Sequence, residues 1–403
     1  MYHENVQRWI DKVMPKIIKN LGLDIDKTRY KLLEFPGNFI MSYMYHVRLQ
    51  FENKINRQNE ELSMLLKRST SDFGLIVHTD LQFRNEILFY QMYSRPDENY
   101  ARCFYFEERS PTDFVIALEN VNGQGYYSCP YNKYDPPVEY TLAAMRELGR
   151  FHGKGYVMKE MQREKFFDIA TQIQEVRYTN KTESIYKFVC NIKTSRVVEY
   201  LRSQDHDAVF CDKMEALLSN AFEKVMIKTV QPLEPLATLC HGDFTLDNIL
   251  FKTEDDNEQH LPILIDFALI RYSTPVIDLS TYLHLCCSNE MRKEKFLDFM
   301  QAYHDSLKEY LLNAGVQDIE KYSYNALLSD FKRGALFGFV IMCVFIPVIL
   351  GYLSPEVLVQ EILDLGPLES TKKQRYAGGN EVSKMLVDAL LYLKDLGCLK
   401  HVL

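Results

Sequence analysis

HGDFTLDNILF, residues 241–251, places a histidine, two aspartates and an asparagine directly in front of an apolar run. A Gly/Asp/Asn cluster of this kind is by default a polar turn. The residues beyond it argue for more. Ile249, Leu250 and Phe251 form a short apolar run, TEDDNEQH (253–260) a polar loop, and Ile263, Leu264 and Ile265 a second run. Two such runs joined by a polar loop predict an antiparallel hairpin. Asn248 then sits just before the first strand and Asp266 just after the second, and the open end of an antiparallel pair brings such residues within roughly 5 Å. An amide oxygen and a carboxylate facing one small volume are the kind of oxygen ligands that hold Mg2+ beside nucleotide phosphates.

Asp243 lies five residues before Asn248. That is the D-x-x-x-x-N spacing of a kinase catalytic loop, with HGD in place of HRD. Phosphoryl transfer needs a carboxylate to accept the proton of the attacking hydroxyl, and metal ions to neutralise charge on the phosphates. The spacing therefore predicts Asp243 as the base and Asn248 and Asp266 as metal ligands. His241 is expected to brace the backbone of the loop.

A kinase-like site also needs a lysine on the phosphates and an acid to hold that lysine, both encoded upstream. ELSMLLK (61–67) reads as a strand ending in Lys67, and LQFRNEILFYQMY (81–93) as a helix with Phe83, Ile87 and Tyr90 on one side. Glu86 falls towards that apolar side, where an acid is costly to bury without a cation nearby. Lys67 is its expected partner. Upstream of Lys67 the segment FPGNFIMSYMYHVRLQF (35–51) holds the single Gly37. A tight turn there is expected to cover phosphates through backbone N–H groups, without the several glycines of typical protein kinases.

Other motifs carry less. The literal DFG at Asp72–Gly74 precedes the catalytic loop, whereas a metal-binding Asp must come after it, so it is read as a loop end. Gly123-Gln124-Gly125 lacks the third glycine of a dinucleotide fingerprint. No P-loop, G-x-S-x-G or HExxH motif occurs, which removes support for P-loop NTPases, serine hydrolases and zincins. His152 is read as a core histidine, Asp247 as a solvated carboxylate, and Asp278 as an N-cap or a brace for the catalytic loop.

The chain has 403 residues, 47% hydrophobic and 25% charged, with a net charge of −8. No long basic run is present, so neither nucleic acid nor an anionic membrane is an expected partner. Nine cysteines without a CxxC pair build neither a disulfide framework nor a zinc site. With no secretory signal evident at the start, a reduced, cytoplasmic protein is expected. Ala335–Tyr352 (ALFGFVIMCVFIPVILGY) has the length of a membrane span, yet it is a single segment interrupted by Pro347, so a buried core helix is predicted rather than a membrane span.

Short β-type runs fill the first part of the chain, including DFVIALENV (113–121). Helical patterns dominate after the Gly/Pro-rich NGQGYYSCPYNKYDPP. These begin with YTLAAMRELGRFHG (140–153), where Gly153 is assigned to a C′ position. GPLESTKKQRYAGGN (366–380) is read as a mobile loop. A final amphipathic helix comes next, with Val382, Met385, Leu386, Ala389, Leu390 and Leu393 on one side and Gly397 closing it. The fold class expected is α+β: a small β-rich N-lobe over residues 1–121 and a large, mainly helical C-lobe over 122–403.

With LCHGDFTLDNILF (239–251), ILIDFALIRYSTPVIDL (263–279), LLKRS and FRNEILFY assembled, the chain resembles the ecdysteroid-kinase-like (CHK kinase-like) family. That family lies within the choline/aminoglycoside-kinase-like branch of the protein-kinase-like fold. The resemblance spans roughly residues 30 to 300. It implies a two-lobed fold, ATP and Mg2+ as cofactors, and phosphorylation of a hydroxyl on a small molecule, an ecdysteroid or a plant-derived metabolite. It also implies that the adenine lies against backbone near Glu119 to Val121. Ala268 stands where the family often has Gln after IDF. The alternative reading is a catalytically inactive, kinase-like protein that sequesters a lipophilic ligand.

Overall fold

The computed structural model describes residues 2–33, 42–69, 72–109, 113–180, 184–254 and 259–402. Gly37 lies outside them. The chain divides into two compact units, Met1–Tyr126 and Tyr127–Leu403, where the sequence led us to expect the joint after Val121.

The first unit is built on one antiparallel sheet of five strands: β1 (Arg29–Leu33), β2 (Ser42–Glu52), β3 (Asn59–Ser69), β4 (Cys103–Arg109) and β5 (Asp113–Glu119). Their order is β1-β2-β3-β5-β4. Side chains alternate across a strand, and that alternation sorts the core into two layers. Met64 and Leu66 of β3, with Val115 and Ala117 of β5, face the helix Tyr2–Asn20, whose Val6, Trp9, Ile10, Val13, Met14, Ile17 and Ile18 are buried against them. Phe114, Ile116 and Leu118 face the other way, onto Phe83 and Ile87 of the helix Thr79–Leu88. Lys67 is in register with Ile116 and so shares this second face.

The helix expected over 81–93 is α-helical to Leu88 and continues as a π-helical turn, Phe89–Tyr93. The DFG sequence is not a loop end. Asp72–Val77 is a short helix with Phe73 buried, because an apolar run with a phenylalanine to anchor it gains more by packing than by staying open.

The second unit is mainly helical. The helices Val138–Met161 and Asn289–Asn313 pack closely. Gly153 is not a C′ residue, for the first of these helices runs eight residues beyond it. A Cβ at Gly153 would lie 3.1 Å from the Tyr310 ring, and one at Gly149 would lie 2.4 Å from the Tyr303 carbonyl oxygen. These glycines are where the partner helix passes, not where the helix stops. Leu336–Ile349 is the expected buried apolar helix, with Pro347 inside it. It crosses the wholly buried helix Val276–Cys286, against which a Cβ at Gly338 would meet the Ser280 carbonyl oxygen at 2.1 Å. Among the described residues no single helix is long and apolar enough to cross a membrane.

The segment 366–380 is not a loop for most of its length. Helix Pro355–Gln374 is kinked at Gly366 (φ 77°), and Pro367 starts its second part, with Ser370, Thr371 and Gln374 buried. Pro suits the first turn of a helix, where its missing N–H costs nothing. Only a turn through Gly378 separates it from the final helix Gly379–Asp395, whose buried face includes Val382, Leu386, Ala389, Leu390 and Leu393.

Five short strands complete this unit among the described residues: β6 (Tyr127–Ser128), β7 (Thr238–Cys240), β8 (Ile249–Glu254), β9 (Gln259–Leu264) and β10 (Arg271–Ser273). β8 and β9 are the predicted hairpin, antiparallel with Ile249 opposite Leu264, and β6 adds to the outer side of β8. β7 pairs antiparallel with β10.

Candidate active site

The sequence His241–Asn248 connects β7 to β8, and Ile265–Ile270 connects β9 to β10. Both ends of both connections are thus pinned by strand pairing. Gly242 adopts φ +81°, and a Cβ there would fall 1.8 Å from the Leu269 carbonyl oxygen. Only glycine combines that left-handed backbone with so close an approach.

A single carboxylate holds the start of the loop. Asp278, in the first turn of the helix Val276–Cys286, accepts hydrogen bonds from the backbone N–H groups of His241 (2.7 Å) and Gly242 (2.8 Å) and from His152 Nε2 (3.0 Å). His152 completes its own needs by taking the Tyr303 hydroxyl on Nδ1 at 2.9 Å. Burial of Asp278 pushes its pKa up, but His152, His241 and the Gly242 N–H outweigh it and hold the carboxyl below its ordinary value. His152, Cys240 and Asp278 lie close enough together to suggest a metal centre. Their atoms are already engaged, however, with Cys240 Sγ on the carbonyls of Thr238, Ser273 and Thr274. The cluster is a hydrogen-bonded hub. Asp278 therefore acts as the brace, and His152 is the core histidine behind it.

His241 bridges the two connections. Its Nε2 donates to the Ile265 carbonyl at 3.0 Å and its Nδ1 takes the Asp243 N–H at 3.4 Å. The Ile265 N–H in turn donates to the Asn248 carbonyl at 3.1 Å. Asn248 Nδ2 donates to the Asp243 carbonyl (2.8 Å) and to Asp243 Oδ2 (3.3 Å). With the amide nitrogen turned to Asp243, neither of these side-chain bonds uses the amide oxygen. Asp266 sits at φ 63°, a left-handed conformation uncommon outside glycine, at the start of the turn Phe267–Leu269 that contains Ala268. Asn248 and Asp266 thus stand at adjoining strand ends, an amide oxygen and a carboxylate of the kind that could serve a hard cation. Asp247, beside them, is exposed and paired with Lys133 at 2.8 Å.

In the first unit, Lys67 Nζ and Glu86 Oε2 are 2.7 Å apart, with 8% and 1% of their side chains exposed. Lys67 also lies 5.7 Å from the centroid of the Phe83 ring. Glu119 closes β5 and takes the Arg102 guanidinium on both oxygens, while Val121 opens the turn Val121–Gln124. Burial raises the Glu119 pKa, but the bonds from Arg102 and Gln124 outweigh it and hold the carboxyl low.

Arg177 escaped the sequence reading. It stands on the segment after the helix Arg163–Gln172, sixty-six residues before Asp243, and its guanidinium reaches to 3.9 Å from Asp243 Oδ1. No motif marks it. The one local signal is Glu175, whose carboxylate accepts the N–H groups of Arg177 and Tyr178 and fixes the turn that aims the arginine.

A family model described as ecdysteroid kinase-like matches residues 36–316. The chain belongs to the ecdysteroid kinase-like family. Its α+β architecture has the five-stranded antiparallel sheet in the first unit and the Asp243 loop in the mainly helical second one. The chain is also similar to a Caenorhabditis elegans protein described as the uncharacterized oxidoreductase dhs-27, 21% identical over 358 residues. That match covers 85% of this chain but only 41% of the relative, so the chain spans about two-fifths of the relative's length. Among solved structures it is similar to aminoglycoside phosphotransferase APH(4)-Ia, with 11% identity, 93% of this chain and 98% of that one covered, and a TM-score of 0.34. A thermostable mutant of that enzyme, in complex with ADP and hygromycin B, gives 12% identity, coverage of 92% and 97%, and a TM-score of 0.32.

Proposed function

We propose that this chain transfers the γ-phosphoryl group of ATP to a hydroxyl of a small, lipophilic molecule, an ecdysteroid or a plant-derived metabolite. The observation that carries this reading is the Asp243–Asn248 pair: one side chain offers a part-exposed carboxylate, and the other turns its nitrogen to that carboxylate and its oxygen away. A base and a cation ligand are thereby set back to back on a loop that Asp278 and His241 hold rigid.

In this reading Asp243 orients the acceptor hydroxyl and takes its proton as the oxygen attacks the γ-phosphorus. The bond from that phosphorus to the bridging oxygen breaks, and ADP leaves with the electron pair. The residues that would hold Mg2+ are Asn248 and Asp266, and the ion supplies charge neutralisation on the phosphates when bound. Lys67, kept in place by Glu86, orients the phosphates. The backbone near Glu119 and Val121 receives the adenine. The unit Met1–Tyr126 is then the nucleotide-binding part, and Tyr127–Leu403 the catalytic and acceptor-binding part. The family's description supports the acceptor class, and the scaffold of the Asp243 loop supports the chemistry.

Incubation of the protein with ATP, Mg2+ and a panel of steroid and plant-metabolite alcohols, read by mass spectrometry, tests this. A phosphorylated product is expected, and Asp243→Ala abolishes it while leaving the circular dichroism spectrum unchanged. Undiminished turnover in that variant would remove Asp243 as base. Absence of transfer to every alcohol, together with absence of Mg2+-dependent ATP binding, would leave the ligand-sequestering protein as the better reading.

A further inference from the structure

Arg177 is an expensive residue to place where it lies. Its side chain is 9% exposed, and its Nε has no hydrogen-bond partner among the described residues. Taking a guanidinium out of water costs several kcal/mol unless charge and hydrogen bonds offset it. Here burial lowers the Arg177 pKa, but attraction to Asp243, with Tyr186 and Tyr178, outweighs it and holds the guanidinium charged. Asp243 Oδ1 is 3.9 Å from Nη1, beyond the 2.7–3.2 Å or so of a hydrogen bond. The Tyr186 ring lies 5.7 Å from the guanidinium carbon. The pair with Asp243 is open: the charges attract, yet the donors are not spent on each other.

The segment is nonetheless firmly held. Tyr178 packs edge-on to Tyr186 and Phe337, at 6.2 and 5.4 Å between ring centroids, and Arg271 lies 5.1 Å over its ring. Arg271 also reaches Glu175, the residue that fixes the turn, at 3.4 Å. A buried, clamped cation whose Nε has no hydrogen-bond partner among the described residues, beside a partly exposed carboxylate, is arranged to receive a further anion.

We propose that Arg177 is a catalytic residue that binds the phosphoryl group in transit, donating from its guanidinium to an equatorial oxygen while Asp243 takes the acceptor's proton. This rests on the phosphotransferase reading of the Asp243 loop. The planar fork of arginine suits an oxyanion better than lysine does. Because charge builds on the equatorial oxygens during transfer, the contact strengthens in the transition state and accelerates the reaction.

The test compares two complexes by isothermal titration calorimetry, on the full chain: MgADP alone, and MgADP with fluoroaluminate, which imitates the phosphoryl group in flight. Arg177→Met is expected to weaken the fluoroaluminate complex about 10- to 100-fold, the range of one or more charge-assisted hydrogen bonds, and to leave MgADP affinity within about threefold. Arg177→Lys, which keeps the charge and loses the fork, is expected to fall between Arg177→Met and wild type, and it carries the test if the methionine variant does not fold. A variant that binds both complexes as wild type does, or that loses both equally, overturns the proposal. Wild-type protein that binds MgADP but gains nothing from fluoroaluminate also overturns it, with the phosphotransferase reading left standing. Wild-type protein that fails to bind MgADP at all removes that reading, and this proposal with it.

Discussion

Asp278→Asn isolates what holds the candidate catalytic loop. The carboxylate, 1% exposed, accepts three hydrogen bonds: His241 N–H and His152 Nε2 on one oxygen, Gly242 N–H on the other. Asparagine has nearly the same shape but only one oxygen. If that oxygen keeps His241 and His152, the amide NH2 faces the Gly242 N–H, donor against donor. Two buried donors are then orphaned, at about 1–3 kcal/mol each, so a loss of about 2–6 kcal/mol in unfolding free energy is expected. The positional effect adds to this. Gly242 cannot relax towards Leu269, whose carbonyl already fills the space where a Cβ would be, so the loop moves away, carrying Asp243. Displacing a reacting group by about 1 Å can cost about 100-fold in rate. Urea unfolding monitored by circular dichroism measures the first effect, and phosphoryl transfer measures the second. Asp247→Asn, on the exposed carboxylate paired with Lys133, is the control, expected to stay within about 0.5 kcal/mol. An Asp278→Asn variant as stable as that control would show that the three contacts do not brace the loop.

Two more outcomes concern buried charge. Lys67→Met leaves Glu86 deeply buried without its lysine, and breaking a buried pair in this way costs about 3–5 kcal/mol; Lys67→Met with Glu86→Leu is expected to recover most of it, and a double variant that merely sums the two losses would contradict the pairing. His284 is wholly buried, and burial, helped by Arg292, pushes its pKa down to about 3. The unfolded chain takes up this proton near pH 6.5 and the folded chain refuses it until about pH 3, so stability falls as pH drops through that window. At pH 5 the shortfall is about 2 kcal/mol relative to pH 7.5. His284→Gln is expected to lose that increment, and parallel stability–pH curves for wild type and variant would refute the assignment.

Short-range pattern made much of the site legible. A hairpin is encoded by two apolar runs and the loop between them, so Asn248 and Asp266 could be placed at adjoining strand ends, where a backbone hydrogen bond now ties Ile265 to Asn248. Lys67 and Glu86 were legible because strand alternation and helical periodicity each send one of them to the same face of the sheet. The same periodicity in Val6, Trp9, Ile10, Val13 and Ile17 marks the first helix, which our reading of the sequence did not single out.

What sequence pattern does not encode is which distant element arrives at a given point. Gly153 looks like a helix stop because glycine usually ends helices. Its reason lies instead in Tyr310, more than 150 residues away, whose ring needs the space. Gly366-Pro367 looks like the start of a loop because both residues break helices, yet buried Ser370, Thr371 and Gln374 make a second helical segment the better packed state. Arg177 is the same problem at the site itself. Its neighbours in sequence give it a turn, and only the folded chain brings it to Asp243. Asp243, Asn248 and Asp266 can be read from sequence because one short loop and one hairpin hold all three. The cation that faces Asp243 comes from a separate segment, held by Tyr178 in its aromatic cluster and by Glu175. The two pieces nonetheless share one anchor, Arg271, which pairs with Cys240 at the head of the Asp243 loop and also holds Glu175 and Tyr178, so a change in either is felt opposite Asp243.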